Sequence, residues 1–233
     1  MKNKIIIIIT SCIIVVTLCI VAIASDTFNI FKVGEYYNEV RNDTKKEVVA
    51  TYNENQVTLA ELKYQKNINK MGENTLKELE NAGASEEVIE DVLKSINETD
   101  IDIVNRILIG FILLEEAEVK GVSATKEEVN EFISSAKKTY EEFPESKAQI
   151  DSFCEGAGIT VEEYWNDIES QSFATLSRQK LKNHFIAEYC RDNGFSVDNH
   201  SLEERRKIDE AYDNYSYELL AAHKDEIVYY IDH

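Results

Sequence analysis

The most frequent structural signal in this sequence is the helix boundary. Thr58, Thr125 and Thr160 are each followed three residues later by a glutamate. In such a capping box the threonine hydroxyl accepts a hydrogen bond from the glutamate amide, and the glutamate side chain bonds back to the threonine amide. Ser85, which precedes two glutamates, is a further predicted N-cap. Glycines mark the predicted helix ends, and these are Gly83, Gly121, Gly158 and Gly194.

Between these boundaries the apolar residues recur at helical spacing. One stripe covers residues 104–114, and a second covers 129–140. A long helix is predicted from about Tyr164 to Tyr189, and a last one from about 202 to 223. The chain has 233 residues but only 1 proline and 8 glycines, which argues against a turn-rich β-sandwich. The fold is therefore predicted to be mainly all-α.

Two short segments have strand character instead. Residues 48–52 are β-branched and aromatic, and a turn over 53–55 follows them. Residues 227–231 are equally apolar and are either a strand or an aromatic tail. Because these segments lie at opposite ends of the helical region, we expect them to pair. The prediction is a helical domain over 48–233, with a small two-strand β clasp formed by its N- and C-terminal segments.

The first 24 residues differ in composition from the rest. Residues 5–24 are uncharged, and as a helix they would be about 30 Å long, enough to span a membrane. Small residues before Ser25 fit signal-peptidase cleavage between Ala24 and Ser25, whereas the length of the run favours a retained anchor. Lipidation at Cys12 or Cys19 is a third alternative. We thus expect a signal peptide or membrane anchor over 1–24.

The rest of the chain is expected outside the cytoplasm. The basic residues that precede the apolar run, Lys2 and Lys4, should remain on the cytoplasmic side. Residues 25–47 are predicted to be a juxtamembrane linker with some helical character. The Lys-, Asn- and Ile-rich composition is typical of an AT-rich bacterial genome and favours a Gram-positive source.

Charge excludes one large class of partner. The chain carries 44 acidic and 25 basic residues, a net charge of -19, so a phosphate backbone would be repelled and no nucleic acid partner is expected. Beyond residue 24 the cysteines are Cys154 and Cys190, which either pair or stay as free thiols. No CxxC or His-rich spacing accompanies them, so neither a metal site nor a cofactor is predicted.

Catalytic signatures are missing from the sequence as well. It contains no HExxH, Walker A, GxSxG or EF-hand pattern. Its four histidines are scattered, with no serine or aspartate spaced to suggest a triad. An enzyme is therefore not expected.

Four motifs follow one another along the sequence. The first joins a short strand to a capped helix start, and the second is a hydrophobic helix that ends before a glycine and a new glutamate-rich helix. The third is a glycine followed by a capped aromatic helix, and the fourth is a closing helix and strand. The segments that carry them are 48–62, 107–129, 158–164 and 217–231. In this order they resemble the SurA N-terminal/PrsA-type family of extracytoplasmic chaperones.

The resemblance implies a chaperone domain without its usual enzyme. In the family's foldases a parvulin prolyl isomerase domain lies between the long helix and the closing helix. Here only residues 190–207 separate those elements, whereas a domain needs roughly 50 residues. The implied function is a holdase-like module that binds unfolded or newly translocated polypeptides, without isomerase activity.

Binding of unfolded chains needs exposed apolar surface, for which aromatic side chains are well suited. Candidates lie on or beside the helices that should line the binding surface, although core positions are the alternative for each. They are Tyr64, Tyr140, Phe143, Trp165 and Phe173. The rival function is a module that binds one specific envelope or membrane partner with the same fold. A homodimer that exchanges terminal strands, and membrane contact through residues 5–24 if these are retained, complete the predicted partners.

Overall fold

The computed structural model describes residues 29–84, 86–197 and 201–231, in which there are eight α-helices and one small sheet. The helices are α1 (Ile30–Arg41), α2 (Leu59–Asn81), α3 (Glu86–Ile96), α4 (Asp100–Val119), α5 (Lys126–Glu142), α6 (Pro144–Ala157), α7 (Val161–Asn193) and α8 (Leu202–Ala222). The strands are β1 (Val48–Tyr52), β2 (Asn55–Thr58) and β3 (Ile227–Tyr229). The mainly helical prediction is confirmed.

The helix boundaries follow the capping chemistry of the sequence. At α2 the Thr58 amide donates to the Glu61 carboxylate at 2.7 Å, and the Glu61 amide donates to the Thr58 hydroxyl at 3.2 Å. The predicted boxes at Thr125 and Thr160 are present too. Ser85 lies outside the described residues. Left-handed φ angles of 63° to 71° occur at Gly83, Gly121, Gly158 and Gly194.

The sheet is antiparallel, in the order β2-β1-β3. Ala50 pairs with Tyr229 and Tyr52 with Ile227, so the predicted clasp between distant segments is confirmed. The prediction of only two strands is wrong, because Asn55–Thr58 turns back on β1 as β2. Asn53, with φ of 52°, lies in the two-residue connection. β2 contains only one apolar residue, Val57, so it lacks the alternation of apolar and polar residues by which a strand is predicted.

Three apolar clusters hold the helices together. The first joins α1, α2, α5, α6 and the first half of α7, and the second packs the sheet against α2 and α4. The third joins Leu113 and Ala117 of α4 to Leu181 of α7, with α8 packed beside them. Because α7 has 33 residues it is about 50 Å long, and it contributes to both the first and the third cluster.

Helix α1 lies within the range predicted to be a linker, but it packs as part of the folded body. Val33 is fully buried, and Tyr37 and Val40 are buried beside it. The backbones of α1 and α6 touch at two glycines. An added Cβ on Gly34 would lie 2.2 Å from the carbonyl oxygen of Phe153, so no side chain fits there. The linker prediction missed this packing because its partner helix lies more than one hundred residues away.

The predicted cleavage site at Ala24 and Ser25 and the apolar run 5–24 lie outside the described residues. Within the part of the chain that the structure describes, no helix combines the length and apolar composition needed to cross a membrane.

Glu61 makes stability depend on pH in a way that can be tested. Burial raises its pKa, and the hydrogen bonds from Thr58 offset this effect only in part. The folded state therefore holds a proton at pH values where the unfolded chain has released it, so this stability is lost as pH rises through the folded pKa. We expect Glu61→Gln to gain stability relative to the natural chain as the pH rises above the ordinary glutamate pKa of about 4.3, as measured by urea unfolding. A difference that is constant with pH would contradict this.

Candidate polypeptide-binding surface

The five aromatic candidates occupy different environments. Tyr64 and Trp165 belong to the first cluster and are only 2% and 8% exposed, so they offer no binding surface in this structure. Tyr140 is half-buried and meets Trp165 edge-on, with ring centroids 5.9 Å apart. Phe143, between α5 and α6, is 53% exposed, and Phe173, on α7, is 39% exposed. The structure therefore does not join the five residues into one surface.

Other apolar side chains lie outside the three clusters, on the hairpin formed by the end of α2 and by α3. We call residues 72–97 the arm. None of the described side chains from 66 to 102 is fully buried. Six apolar side chains of the arm belong to none of the three clusters, and these are Leu76, Leu79, Ile89, Val92, Leu93 and Ile96. Leu93 is the most open of them, with 39% of its surface exposed.

The partner of α3 explains this exposure. Among the described elements, α3 makes extensive contact with α2 alone. Gly72 allows the two helices to approach closely, since an added Cβ there would lie 3.3 Å from Cγ1 of Ile96. On α3 the apolar residues 89, 92, 93 and 96 follow the i, i+3, i+4, i+7 pattern of one helix face. A single neighbouring helix covers only part of such a face, and the remainder meets solvent.

A polar network fixes the base of the arm. The Arg106 guanidinium on α4 donates to both carboxylate oxygens of Glu98, at 3.0 and 2.8 Å. Arg106 also donates to the Gln65 side chain at 3.2 Å, and the Asn69 amide donates to Glu98 at 2.7 Å. Bidentate charge-assisted bonds of this kind fix orientation as well as distance. The arm is thus attached to the body at a defined angle through α2, α4 and the connection at Glu98.

The arm is also strongly acidic. Its 26 residues include seven acidic and two basic ones, a net charge of -5. Glu73, Glu80 and Glu90 are exposed. Each lies three or four positions from an apolar arm residue, Glu73 and Glu80 from Leu76 and Glu90 from Leu93, which is the separation of neighbours on a helix. Charge and apolar surface are therefore interleaved on this hairpin.

A second group of aromatic residues packs between α7 and α8. Phe185 stacks on Tyr215 at 4.9 Å and meets Tyr212 edge-on at 5.4 Å. Burial raises the pKa of Tyr212 to about 12. The rings cover one another, so this group joins two helices rather than forming an open surface.

A network of polar groups ties the C-terminal strand to the body. The Tyr52 hydroxyl donates to the Glu115 carboxylate at 2.7 Å and lies 3.2 Å from Nδ1 of His223. The same nitrogen lies 3.0 Å from the Glu226 carboxylate. A proton on Nδ1 satisfies both neighbours, since the Tyr52 proton is already donated. Tyr52 is fully buried, so this group stabilises the clasp and is closed to a substrate.

Neither cysteine is placed for chemistry. Cys154 and Cys190 are both buried and free, so they form no disulfide here. Burial raises the pKa of the Cys154 thiol to about 11 and also raises that of Cys190, which disfavours the reactive thiolate. Within the described residues no group of His, Cys, Asp or Glu side chains is arranged to hold a metal ion.

The arm is a candidate surface that the sequence analysis missed. The spacing of residues 89, 92, 93 and 96 indicates an amphipathic helix. It does not indicate that the apolar face of this helix lacks a second helix to cover it. No protein family, curated protein or solved structure matches this chain. The similarity to SurA and PrsA therefore depends on the four sequence motifs alone.

Proposed function

We propose that this chain is an exported or membrane-tethered, holdase-like chaperone module that binds unfolded or newly translocated polypeptides, without prolyl isomerase activity. The observation that supports this most directly is the arm, a helical hairpin with six described apolar side chains that join none of the three clusters. Unfolded chains expose apolar side chains that a folded partner would bury. The arm offers them a surface of matching character.

The composition supports the same function. A protein that exposes an apolar surface risks association with itself, and a net charge of -19 opposes this through repulsion between copies. The base network of Glu98 and Arg106 supports the arm as a fixed, preformed surface, which reduces the entropy lost when a client binds. The motif resemblance and the apolar run at 5–24 favour a location outside the cytoplasm.

The test is suppression of aggregation. We expect the full chain, held in lipid nanodiscs, to suppress light scattering by two unrelated denatured proteins at near-stoichiometric ratios. Leu93→Ser should weaken this suppression about threefold. Burial of a whole leucine side chain contributes about 1.5–3 kcal/mol, and a client would cover only the exposed part of Leu93. Empty nanodiscs provide the blank.

A matched control uses an exposed apolar residue outside the arm. Val119, at the end of α4, is 76% exposed, and Val119→Ser should leave suppression unchanged. Equal losses in the two variants would show that the arm has no special role. No suppression of either denatured protein by the natural chain would overturn the proposed function and leave the alternative of one specific envelope partner.

A further inference from the structure

The three described acidic side chains of the arm, Glu73, Glu80 and Glu90, are not neutralised by its own bases. Within the described part of the chain, no ion pair joins Glu73, Glu80 or Glu90 to a lysine or arginine. This contrasts with Glu128 on α5, which binds Lys180 of α7 at 2.8 Å. The negative charge of these three glutamates is therefore available to a molecule that binds beside the apolar face of α3, formed by residues 89, 92, 93 and 96.

The charge of the arm favours some binding partners of its apolar face over others. A second copy of the chain, docked arm to arm, would bring together two segments of net charge -5, a net charge of -10 within one interface. Like charges this close disfavour association, and the repulsion is felt over a screening length of about 8 Å at physiological salt. An apolar segment that carries lysine or arginine would gain attraction at the same positions.

We infer that the arm selects polypeptide segments in which apolar residues are flanked by lysine or arginine. The inference rests on the proposed function of the arm and adds the chemical class of the client. The apolar residues of the client cover Leu93 and its neighbours, while its cationic side chains reach Glu73, Glu80 and Glu90. Such contacts are partly exposed, so each contributes modestly, and selectivity comes from their sum.

The experiment compares fluorescent peptides that share one apolar sequence and differ only in their flanks, with lysine, glutamine or glutamate at the same positions. We expect the full chain to bind the lysine-flanked peptide at least about threefold more tightly than the glutamine-flanked one, and the glutamate-flanked peptide most weakly. Raising the salt concentration should remove most of this preference without abolishing binding.

Two sets of variants locate the effect. The triple change Glu73→Gln, Glu80→Gln and Glu90→Gln should make the lysine- and glutamine-flanked peptides bind alike. The matched control neutralises three exposed glutamates on other helices, Glu131→Gln, Glu169→Gln and Glu218→Gln. It changes net charge equally, so the preference for lysine flanks should survive it.

The outcomes separate the two proposals. Equal binding of all three peptides, weakened by Leu93→Ser, would overturn the charge selectivity and retain the arm as the binding surface. Loss of the lysine preference in the control set as well would assign it to net charge and also overturn the inference. Binding that Leu93→Ser does not weaken would overturn the proposed function of the arm. A dimer that Leu93→Ser dissociates, detected by sedimentation, would make a second copy the occupant instead.

Discussion

Replacing residues 73–96 with a short Gly-Ser linker should abolish suppression of aggregation and leave the rest of the fold intact. The two ends of the excised segment are close, because Gly72 packs against Ile96. The six apolar side chains of the arm named above belong to none of the three clusters, so their removal uncovers little of the core. We expect the thermal unfolding temperature to change by no more than about 3 °C.

The readouts are light scattering for function and calorimetry for stability. The control is a chain with the same linker inserted after Gly121, which lies in the connection between α4 and α5 and leaves the arm in place. If the shortened chain still suppressed aggregation fully, the binding surface would lie elsewhere, with exposed Phe143 and Phe173 as the next candidates. If the shortened chain unfolded, the arm would be part of the stable core and the present description of it would be wrong.

Alanine at Gly34 should destabilise the protein by about 3 kcal/mol or more, since the clash is with backbone and cannot be relieved by a rotamer change. The new methyl group would lie 2.2 Å from the Phe153 carbonyl oxygen and 2.7 Å from the Ala157 amide nitrogen. Helix α1 would have to move away from α6 and expose part of the first cluster. Gly156→Ala should behave alike, because its Cβ would lie 2.0 Å from the Phe31 carbonyl oxygen.

Gly72→Ala is the matched control for these two changes. All three glycines lie within helices, where alanine is intrinsically favoured by about 1 kcal/mol. The close neighbour of Gly72 is the flexible side chain of Ile96, which can shift. We therefore expect urea unfolding to show little change for Gly72→Ala and large losses for the other two. If Gly34→Ala left the free energy of unfolding unchanged, the close packing of α1 on α6 would be contradicted. The prediction of a linker over 25–47 would then be favoured again.

The elements that could be predicted from sequence are those that local chemistry determines. A capping box joins residues three positions apart, so Thr125 and Thr160 identified their helices without any tertiary information. The boxes at Thr99 and Ser201 follow the same rule, the first with Asp102 in place of glutamate, and could have been found by a wider search. Strand β2 has a local partner in β1, but its single apolar residue gave no alternation to detect. The packing of α1 depends on α6, more than one hundred residues away, which no short window contains.

The proposed binding surface was less predictable, because exposure too depends on distant parts of the chain. Tyr64 and Trp165 lie on helices that were correctly predicted, but which face of a helix is covered depends on the neighbouring helices. The stripe on α3 was visible as a pattern, whereas its lack of a second partner is a property of the whole fold. Exposure of an apolar face therefore had to come from the structure.

The antiparallel pairing of β1 with β3 also determines the order in which parts of the fold can form during synthesis. Ile227 lies 175 positions after Tyr52, so nearly the whole described chain must be synthesised before this pair can form. A contact so distant in sequence closes slowly, because the entropy of a long loop is lost first. The helices can form as the chain emerges from the ribosome. The cluster around Tyr52, in contrast, remains partly exposed until β3 has been synthesised and has paired with β1. During that interval the nascent protein is itself an unfolded polypeptide with exposed apolar surface, and so resembles the clients that its mature form is proposed to bind.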